Sequence, residues 1–329
     1  MLLGAGLRPR LREERSFMHS SAYLTGAVAL FMSACGSSSQ AESRTSSGAG
    51  GSGIISTGGS GGSRIPPSTD FTMTEVGGFK RGDPLTGQGV MDTGLNGSGC
   101  GIVVGVVRDF KGANEAGGHP DFEAFKGDKV TTGLVAGAIG ADAKPIYASM
   151  CEAPVVTPSC PYGQQTTSKG NFDQWYRFAD GVNKPYLIYF LFAPVGNIAT
   201  FDSQYFFPLD GAGWASLAYA NDFKQHNFGF TTELHTKFQY KGGETFQFAG
   251  DDDLWIFING KLAIDLGGLH PATTAKVDLD ASAGTLGLTK GNVYLLELFH
   301  AERHTTASHF RVDTTLTFVD CGIIPPDVQ

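Results

Sequence analysis

The stretch LWIFI-NG-KLAID, from Leu254 to Asp265, constrains the fold more than any other part of the chain. Asn-Gly between two apolar runs is typical of a type I′ β-hairpin turn, because both central residues of that turn need positive φ angles. Leu254 and Ile256 alternate with Trp255, so apolar side chains occupy both faces of the first strand. The sequence therefore predicts a hairpin whose first strand is covered on both sides.

Other segments repeat the strand pattern. The run at 101–110 is rich in β-branched residues, the run at 184–192 is apolar and aromatic, and 226–240 alternates with a period of two. Further strands are predicted at 244–250, 292–302 and 309–319. Only FEAF (122–125) and NFDQWYRF (171–178) resemble helices. With 46 glycines and 17% charged residues, the chain is expected to be all-β, an antiparallel β-sandwich with long Gly-rich loops.

The N-terminus carries the parts of an export signal. Four arginines precede an apolar stretch, Ala22 to Met32, that is too short for a spanning helix. The sequence Met32-Ser33-Ala34-Cys35 resembles a bacterial lipobox. That resemblance implies cleavage before Cys35 and lipid attachment to its sulfur, so a bacterial lipoprotein of the outer membrane or cell surface is predicted. The alternative is an ordinary signal peptide with an incidental cysteine.

The segment 36–63 consists mainly of Ser, Gly and Ala. Such a composition buries too little apolar surface to fold, and it predicts a flexible, disordered linker. The expected organisation is a signal peptide at 1–34, a lipid-anchored linker at 35–65 and a folded domain at 66–329.

Four further cysteines are an even number, which in an exported domain predicts disulfide bonds. CEAPVVTPSC resembles a small loop closed by Cys151 and Cys160, which would leave Cys100 and Cys321 to join the two ends of the domain. Three pairings are formally available, and reduced buried thiols are the alternative.

The formal net charge of −8 and the lack of a basic tract argue against nucleic acid as a partner. No nucleotide-binding fingerprint or GxSxG motif occurs. His300 and His304 flank Glu302, but a catalytic zinc motif needs Glu directly after the first His, on a helix. The chain is therefore not expected to be an enzyme, with a glycan hydrolase as the least improbable exception.

Several motifs together resemble the fibro-slime domain, a branch of the PA14 β-sandwich superfamily. They occur in that family's order along most of 103–318. The matching motifs are VVRDF (106–110), HPDFE (119–123), FDQWYRFADGVN (172–183), HNFGFTTE (226–233), GDDDLWIFINGKLAIDLGGLH (250–270) and AERHTTASHFRV (301–312).

This resemblance implies a cation site. In sugar-binding PA14 relatives such as yeast adhesins, two consecutive aspartates joined by a cis peptide bond bind Ca²⁺, which in turn holds two sugar hydroxyls. The matching pair here is Asp251 and Asp252, with Asp253 and Asp265 as further candidates. Ca²⁺ prefers oxygen ligands, and it would offset the repulsion among adjacent carboxylates. A solvated acidic turn is the alternative.

The family also contributes an Asn and backbone carbonyls from a later loop. The corresponding loop here runs from Arg303 to Ser308, but His309 stands where an Asn is expected. Ligand-binding candidates are Trp175, His270, His304, Ser308 and His309.

The function predicted from the sequence is Ca²⁺-dependent recognition of carbohydrate, or extracellular polysaccharide, by a lipid-anchored adhesion module at the cell surface. The alternative is a structural matrix protein that contacts other matrix or cell-surface proteins, with a purely structural cation.

Overall fold

The computed structural model describes residues 78–84, 100–148, 150–214 and 217–322. Seventeen strands and two short helices occupy these residues. The strands are β1 (Gly78–Pro84), β2 (Ile102–Asp109), β3 (Val135–Ile139), β4 (Pro145–Tyr147), β5 (Lys184–Leu191), β6 (Ala193–Val195), β7 (Ile198–Ser203), β8 (Leu217–Tyr219), β9 (Gln225–Asn227), β10 (Phe230–Gln239), β11 (Thr245–Gly250), β12 (Asp253–Ile258), β13 (Lys261–Leu266), β14 (Thr273–Asp278), β15 (Val293–Glu302), β16 (Phe310–Thr314) and β17 (Phe318–Asp320). The helices are α1 (Lys169–Asp173) and α2 (Leu279–Leu286).

The strands form two main antiparallel sheets and a separate hairpin. The larger sheet runs β1-β5-β2-β10-β15-β12-β13-β3-β4, with β17 also paired to β10. The smaller sheet runs β14-β11-β16-β7-β6, and β8 pairs with β9. The two sheets pack face to face through apolar side chains such as Phe190 and Leu298 from the larger sheet and Phe248 and Val312 from the smaller. The predicted all-β sandwich is confirmed.

The predicted Asn-Gly hairpin is confirmed as β12–β13. Asn259 and Gly260 have φ angles of 53° and 72°, as a type I′ turn requires. Leu254 and Ile256 point into the core between the sheets, whereas Trp255 and Phe257 belong to a second apolar core on the outer face of the larger sheet. Both faces of β12 are therefore buried, as its sequence pattern predicted.

The long loops between β2 and β5 cover that outer face. They contribute Phe110, Phe122 and Phe172 to the second core. The same interior also contains charge: both carboxylate oxygens of Glu233 are ion-paired at 2.6 Å, one with Arg108 and the other with Lys144. Glu233 is fully buried, and these two cations hold its pKa far below the usual range despite that burial. The outer layer is therefore an ordered part of the fold.

Two expectations from the sequence are wrong. FEAF is not helical, and of NFDQWYRF (171–178) only 171–173 are helical, as the end of α1 (Lys169–Asp173). The longer helix, α2, was missed although its ends carry recognisable caps: Asp278 accepts the Ala281 N–H at 3.0 Å, and Gly287 ends the helix at φ 73°.

The strands β15 and β16 follow one another in sequence but lie in different sheets.

The favoured cysteine pairing is confirmed. Cys151 is bonded to Cys160 across a sequence separation of 9, and Cys100 is bonded to Cys321 across 221 residues. The Cys321 carbonyl also accepts the Val104 N–H at 2.8 Å. The second disulfide therefore joins the chain just before β2 to the chain just after β17.

The predicted signal peptide (1–34), lipid-anchored linker (35–65) and Cys35 lie outside the described residues, so these remain predictions. In the part of the chain that is described, neither helix is long and apolar enough to cross a membrane.

Candidate functional site

Asp251 and Asp252 lie at one end of the sandwich, where the chain crosses from the smaller sheet to the larger. They connect the end of β11, at Gly250, to the start of β12, at Asp253. The peptide bond between them is cis, as the family resemblance implied. The position follows from the fold, since consecutive strands in different sheets must be joined at an end of the sandwich.

The loop between β15 and β16 surrounds this pair through backbone donors. The N–H groups of Arg303 and His304 donate to Asp252 Oδ2 at 3.1 and 3.0 Å, and the His309 N–H donates to Asp251 Oδ1 at 2.5 Å. These three bonds reach one oxygen of each carboxylate and thereby fix the loop against the pair.

His300 supports the pair from the apolar core. Its Nε2 lies 2.7 Å from the carbonyl oxygen of Asp251 and must be the donor. The ring is buried against Phe230 and Phe310, and this desolvation lowers the pKa of His300 to about 4. His300 is therefore neutral at physiological pH and fixes the Asp251 backbone. It does not share a site with His304, which lines the cleft described next, so the geometry gives the zinc alternative no support.

The two aspartates open into a cleft of about 610 Å³. Its other walls are formed by residues 126–127, 269–272 and 304–307 and by Gln204, Asn221 and His309. The cleft therefore presents carboxylate, amide and backbone oxygens together. Such a donor set suits Ca²⁺, which takes six to eight oxygens in irregular geometry. No cluster of three or more His, Cys, Asp or Glu side chains suited to a metal occurs in the described ranges, so a cation here would depend on amide, carbonyl and water oxygens as well.

Asn221 lines the cleft and was not among the candidates from the sequence analysis. It comes from the turn between β8 and β9, and its N–H donates to the Thr306 carbonyl at 2.8 Å, which fixes that turn against the loop after β15. An Asn was expected near position 309 in sequence. The fold brings Asn221 into the cleft instead, from about 90 residues earlier. The only sequence signal was an Asn-Asp turn between two short runs of strand residues.

Burial disfavours the ionised form of both carboxylates in the cleft. Burial raises the pKa of Asp251, while the His309 N–H opposes the shift. Burial and the adjacent Asp253 carboxylate raise the pKa of Asp252 well above its usual value. A bound divalent cation would favour the ionised form of both groups and reverse these shifts.

The family comparison concerns the part of the chain that contains both aspartates. The model of the PA14 domain matches residues 212–329, which include both aspartates, Asn221 and the loop after β15. Residues 212–329 are thus similar to a PA14 domain. PA14 domains are associated with carbohydrate binding and adhesion, and the two disulfide bonds are typical of secreted or surface proteins. Whether the domain belongs to the fibro-slime branch remains a prediction.

The curated relatives are larger proteins. Protein psiR of Dictyostelium discoideum is 38% identical over 227 residues, covering 64% of this chain but 21% of psiR. Protein psiH of the same organism is 38% identical over 238 residues, covering 64% of this chain and 31% of psiH. The chain thus spans a fifth to a third of these relatives. These relatives give no support to the predicted bacterial origin.

Among solved structures, the PA14 domain of the MpAFP antifreeze protein aligns with a TM-score of 0.22 and 12% identity. The alignment covers 30% of this chain and 55% of that one.

Two of the predicted cation ligands have other partners. Asp253 Oδ1 accepts the Gly268 N–H at 2.6 Å, and its Oδ2 accepts Arg303 Nε at 2.6 Å. Asp265 accepts the Gly133 N–H at 2.8 Å and the Trp255 indole N–H at 3.0 Å. Neither residue lines the cleft. Their hydrogen bonds assign both to the support of the fold.

Two of the predicted ligand-binding residues are buried away from the cleft. Trp175 is fully buried, donates its indole N–H to Asp121 Oδ2 at 3.1 Å and packs under the Arg303 guanidinium, so it cannot stack on a ligand. Ser308 is buried and donates its hydroxyl to the Phe206 carbonyl at 2.8 Å. For both residues a structural role replaces the predicted contact.

The predicted histidines do line the cleft. The His270 ring nitrogens lie 2.9 and 3.2 Å from the carbonyls of Pro271 and Leu266, and His304 Nδ1 lies 2.7 Å from the Thr305 carbonyl. His309 Nε2 lies 2.9 Å from Gln204 Nε2. The ring orientation is thus largely set by the protein, and His304, which is about one-third exposed, is the most accessible of the three.

The β8–β9 hairpin that supplies Asn221 is clamped by His226. Its Nδ1 lies 2.5 Å from Asp210 Oδ2, and its Nε2 lies 3.2 Å from Asp222 Oδ2. The ring stacks on Phe207 with centroids 4.0 Å apart. Although partial burial lowers the pKa of His226, hydrogen bonds to the two carboxylates outweigh it, and the net shift is upward from 6.5.

This clamp predicts a pH-dependent contribution to stability. Because the folded-state pKa of His226 is raised, its contribution is complete below about pH 6.5 and is lost as the pH rises through the folded-state pKa. Wild type should therefore exceed His226→Gln in free energy of unfolding at pH 5.5, and the gap should narrow toward pH 8.5. Urea denaturation of both proteins across that range would measure it. A gap that does not change with pH would contradict the clamp.

Proposed function

We propose that the chain is an exported surface protein whose PA14 domain recognises carbohydrate through Ca²⁺ held by Asp251 and Asp252. The observation that carries the proposal is that Asp251 and Asp252 both bind the loop after β15 and line the cleft. One oxygen of each carboxylate is hydrogen-bonded to the loop after β15, and both residues line a cleft that Asn221 also lines. Association of PA14 domains with carbohydrate binding supports the ligand class.

The residues of the cleft fit this cation on chemical grounds. Asp251 and Asp252 supply charged oxygens, Asn221 supplies an amide oxygen, and the loop at 304–307 supplies carbonyls. Hard oxygen donors favour Ca²⁺, and the three histidines of the cleft each have a ring nitrogen within hydrogen-bonding distance of a protein group. When bound, the cation would offer coordination positions to vicinal hydroxyls, which are the shared chemical feature of sugars. The surrounding walls would then decide which sugar is accepted.

The surface location belongs to the same proposal. The predicted lipid attachment at Cys35, followed by the Ser/Gly-rich linker at 36–63, would tether the folded domain away from a membrane. The ligand would then be an extracellular polysaccharide or the glycan of a neighbouring cell.

Calorimetric titration of the full chain with CaCl₂ tests the site directly. Wild type is expected to bind with a dissociation constant of about 10⁻⁴ to 10⁻³ M, typical of extracellular calcium sites. Asp251→Asn and Asp252→Asn should each abolish the heat of binding, because each removes a charged ligand while keeping the side-chain shape. Asp180→Asn, an exposed aspartate outside the cleft, is the matched control and should bind as wild type does.

Binding to a panel of immobilised mannan, galactan and glucan should then require calcium and be lost with chelator. A folded wild type that binds no calcium would overturn the proposal. Calcium binding without glycan binding would leave a structural cation in a matrix protein, and release of reducing ends would indicate a hydrolase.

A further inference from the structure

The tip of the β8–β9 hairpin exposes an aromatic ring beside the cleft. Phe223 is 89% exposed and adopts a φ angle of 64°, which non-glycine residues rarely adopt. Two residues before it, Asn221 lines the cleft, so the two Cα atoms lie within about 7 Å of each other. A ring this exposed contributes almost no buried area to the fold. Stability of the fold therefore does not explain an aromatic residue at this position.

The hairpin presents this ring on a rigid support. The Phe223 N–H donates to the Ala220 carbonyl at 3.0 Å within the turn, and the Asn221 N–H joins the turn to Thr306 of the cleft wall. The other end of the turn is held by the bonds from His226 to Asp210 and Asp222. Because the backbone of the turn is held in place, only the side-chain torsions of Phe223 have to be ordered when a ligand packs on its ring.

The size and surroundings of the exposed surface indicate the kind of ligand. The exposed side chains of Phe223 and of Leu217 and Tyr219 on β8 together offer far less area than the ~800 Å² that each partner buries in a stable protein interface. A sugar ring needs much less area, since one of its faces is lined by C–H groups that pack on an aromatic ring while its hydroxyls stay hydrated. The neighbouring cleft is lined by polar groups suited to the hydroxyls of the adjoining sugar residue.

We propose that Phe223 forms a second carbohydrate subsite, where it stacks on the sugar residue adjacent to the one bound in the Asp251–Asp252 cleft. This inference rests on the proposed function and extends it. The ligand is then a chain of at least two linked sugars rather than a single terminal one. Affinity for an oligosaccharide should exceed affinity for the matching monosaccharide, and the difference should come from Phe223.

Calorimetry on the full chain in calcium buffer tests this subsite. The probes are short mannan, galactan and glucan oligosaccharides, each compared with its own methyl glycoside. Phe223→Ala should weaken binding of the preferred oligosaccharide by about tenfold, and change binding of the methyl glycoside less than about twofold. Phe223→Trp should retain oligosaccharide affinity, because the larger ring still stacks.

The matched control is Val293→Ala. Val293 is also an exposed apolar residue, 49% accessible, but it lies far from the cleft. It is the first residue of β15, and the last residue, Glu302, adjoins the cleft. The nine residue steps from Val293 to Glu302 span about 30 Å of strand. This variant should bind every probe as wild type does. Phe223→Trp also gives a spectroscopic signature, since its added fluorescence should shift to the blue with oligosaccharide and not with methyl glycoside.

The outcomes separate the subsite from the cation mechanism. Equal oligosaccharide binding by Phe223→Ala and wild type would overturn the subsite and leave the cation site intact. If Asp252→Ala still binds oligosaccharide while Phe223→Ala does not, the subsite stands and the cation mechanism fails. A folded wild type that binds none of the probes would overturn both.

Discussion

Replacing Arg303 with Met is expected to lower the free energy of unfolding by about 3–5 kcal/mol, because it leaves the buried Asp253 carboxylate without its cation. The Arg303 and Asp253 side chains are 1% and 0% exposed, with 2.6 Å between Nε and Oδ2. The guanidinium also donates to the carbonyls of Asp121 and Gln165 at 3.1 and 3.0 Å, and Met can replace neither bond. Urea denaturation of the two proteins measures the loss.

Arg177→Met is the control for this experiment. Arg177 pairs with Asp142 at 2.7 Å, but both side chains are solvent-accessible, so its loss should cost less than about 1 kcal/mol. The double variant Arg303→Met/Asp253→Asn should recover part of the stability, since no uncompensated charge then remains. A cost below about 1 kcal/mol for Arg303→Met alone would show that Asp253 does not need this partner.

Removing the Cys100–Cys321 disulfide, by replacing both cysteines with alanine, should be more costly still. The bond closes a loop with a sequence separation of 221, and the loss of this constraint on the unfolded chain corresponds to about 5 kcal/mol. The Cys151–Cys160 bond has a sequence separation of 9, which corresponds to about 2–3 kcal/mol. Its double alanine variant is therefore the matched comparison.

Urea denaturation under identical conditions should rank the two double variants in this order. The reverse order would contradict the loop-entropy argument and indicate that residual structure in the unfolded chain already brings positions 100 and 321 together.

Local features of the fold were predictable from the sequence because their physical causes are local. The type I′ turn at Asn259-Gly260 depends on two adjacent residues, and the two-sided burial of β12 is visible in its apolar pattern. Helix α2 was missed because the recognisable signals are its caps, Asp278 and Gly287, whereas its interior lacks a strong apolar period.

Features that depend on distant parts of the chain could not be predicted in the same way. The cleft combines Asn221 with Asp251 and Asp252. The spacing of these residues in sequence does not indicate that the β8–β9 hairpin is hydrogen-bonded to the loop after β15 at Thr306. The family resemblance identified the two aspartates as candidate ligands, but it placed the expected Asn ligand at position 309. Trp175 was misassigned for a similar reason, since burial depends on the loops that cover the outer face.

The disulfide between Cys100 and Cys321 has a mechanical consequence. It lies before β2, whose other end, at Asp109, pairs with Phe230 of β10, which in turn pairs with Glu302 beside the cleft. Tension applied between Cys100 and a ligand in the cleft would therefore run along the strands of the larger sheet. Rows of backbone hydrogen bonds between β2, β10 and β15 would then bear the load in shear, many at once, rather than opening one after another. A load applied between Cys100 and the cleft would be resisted for as long as those rows hold.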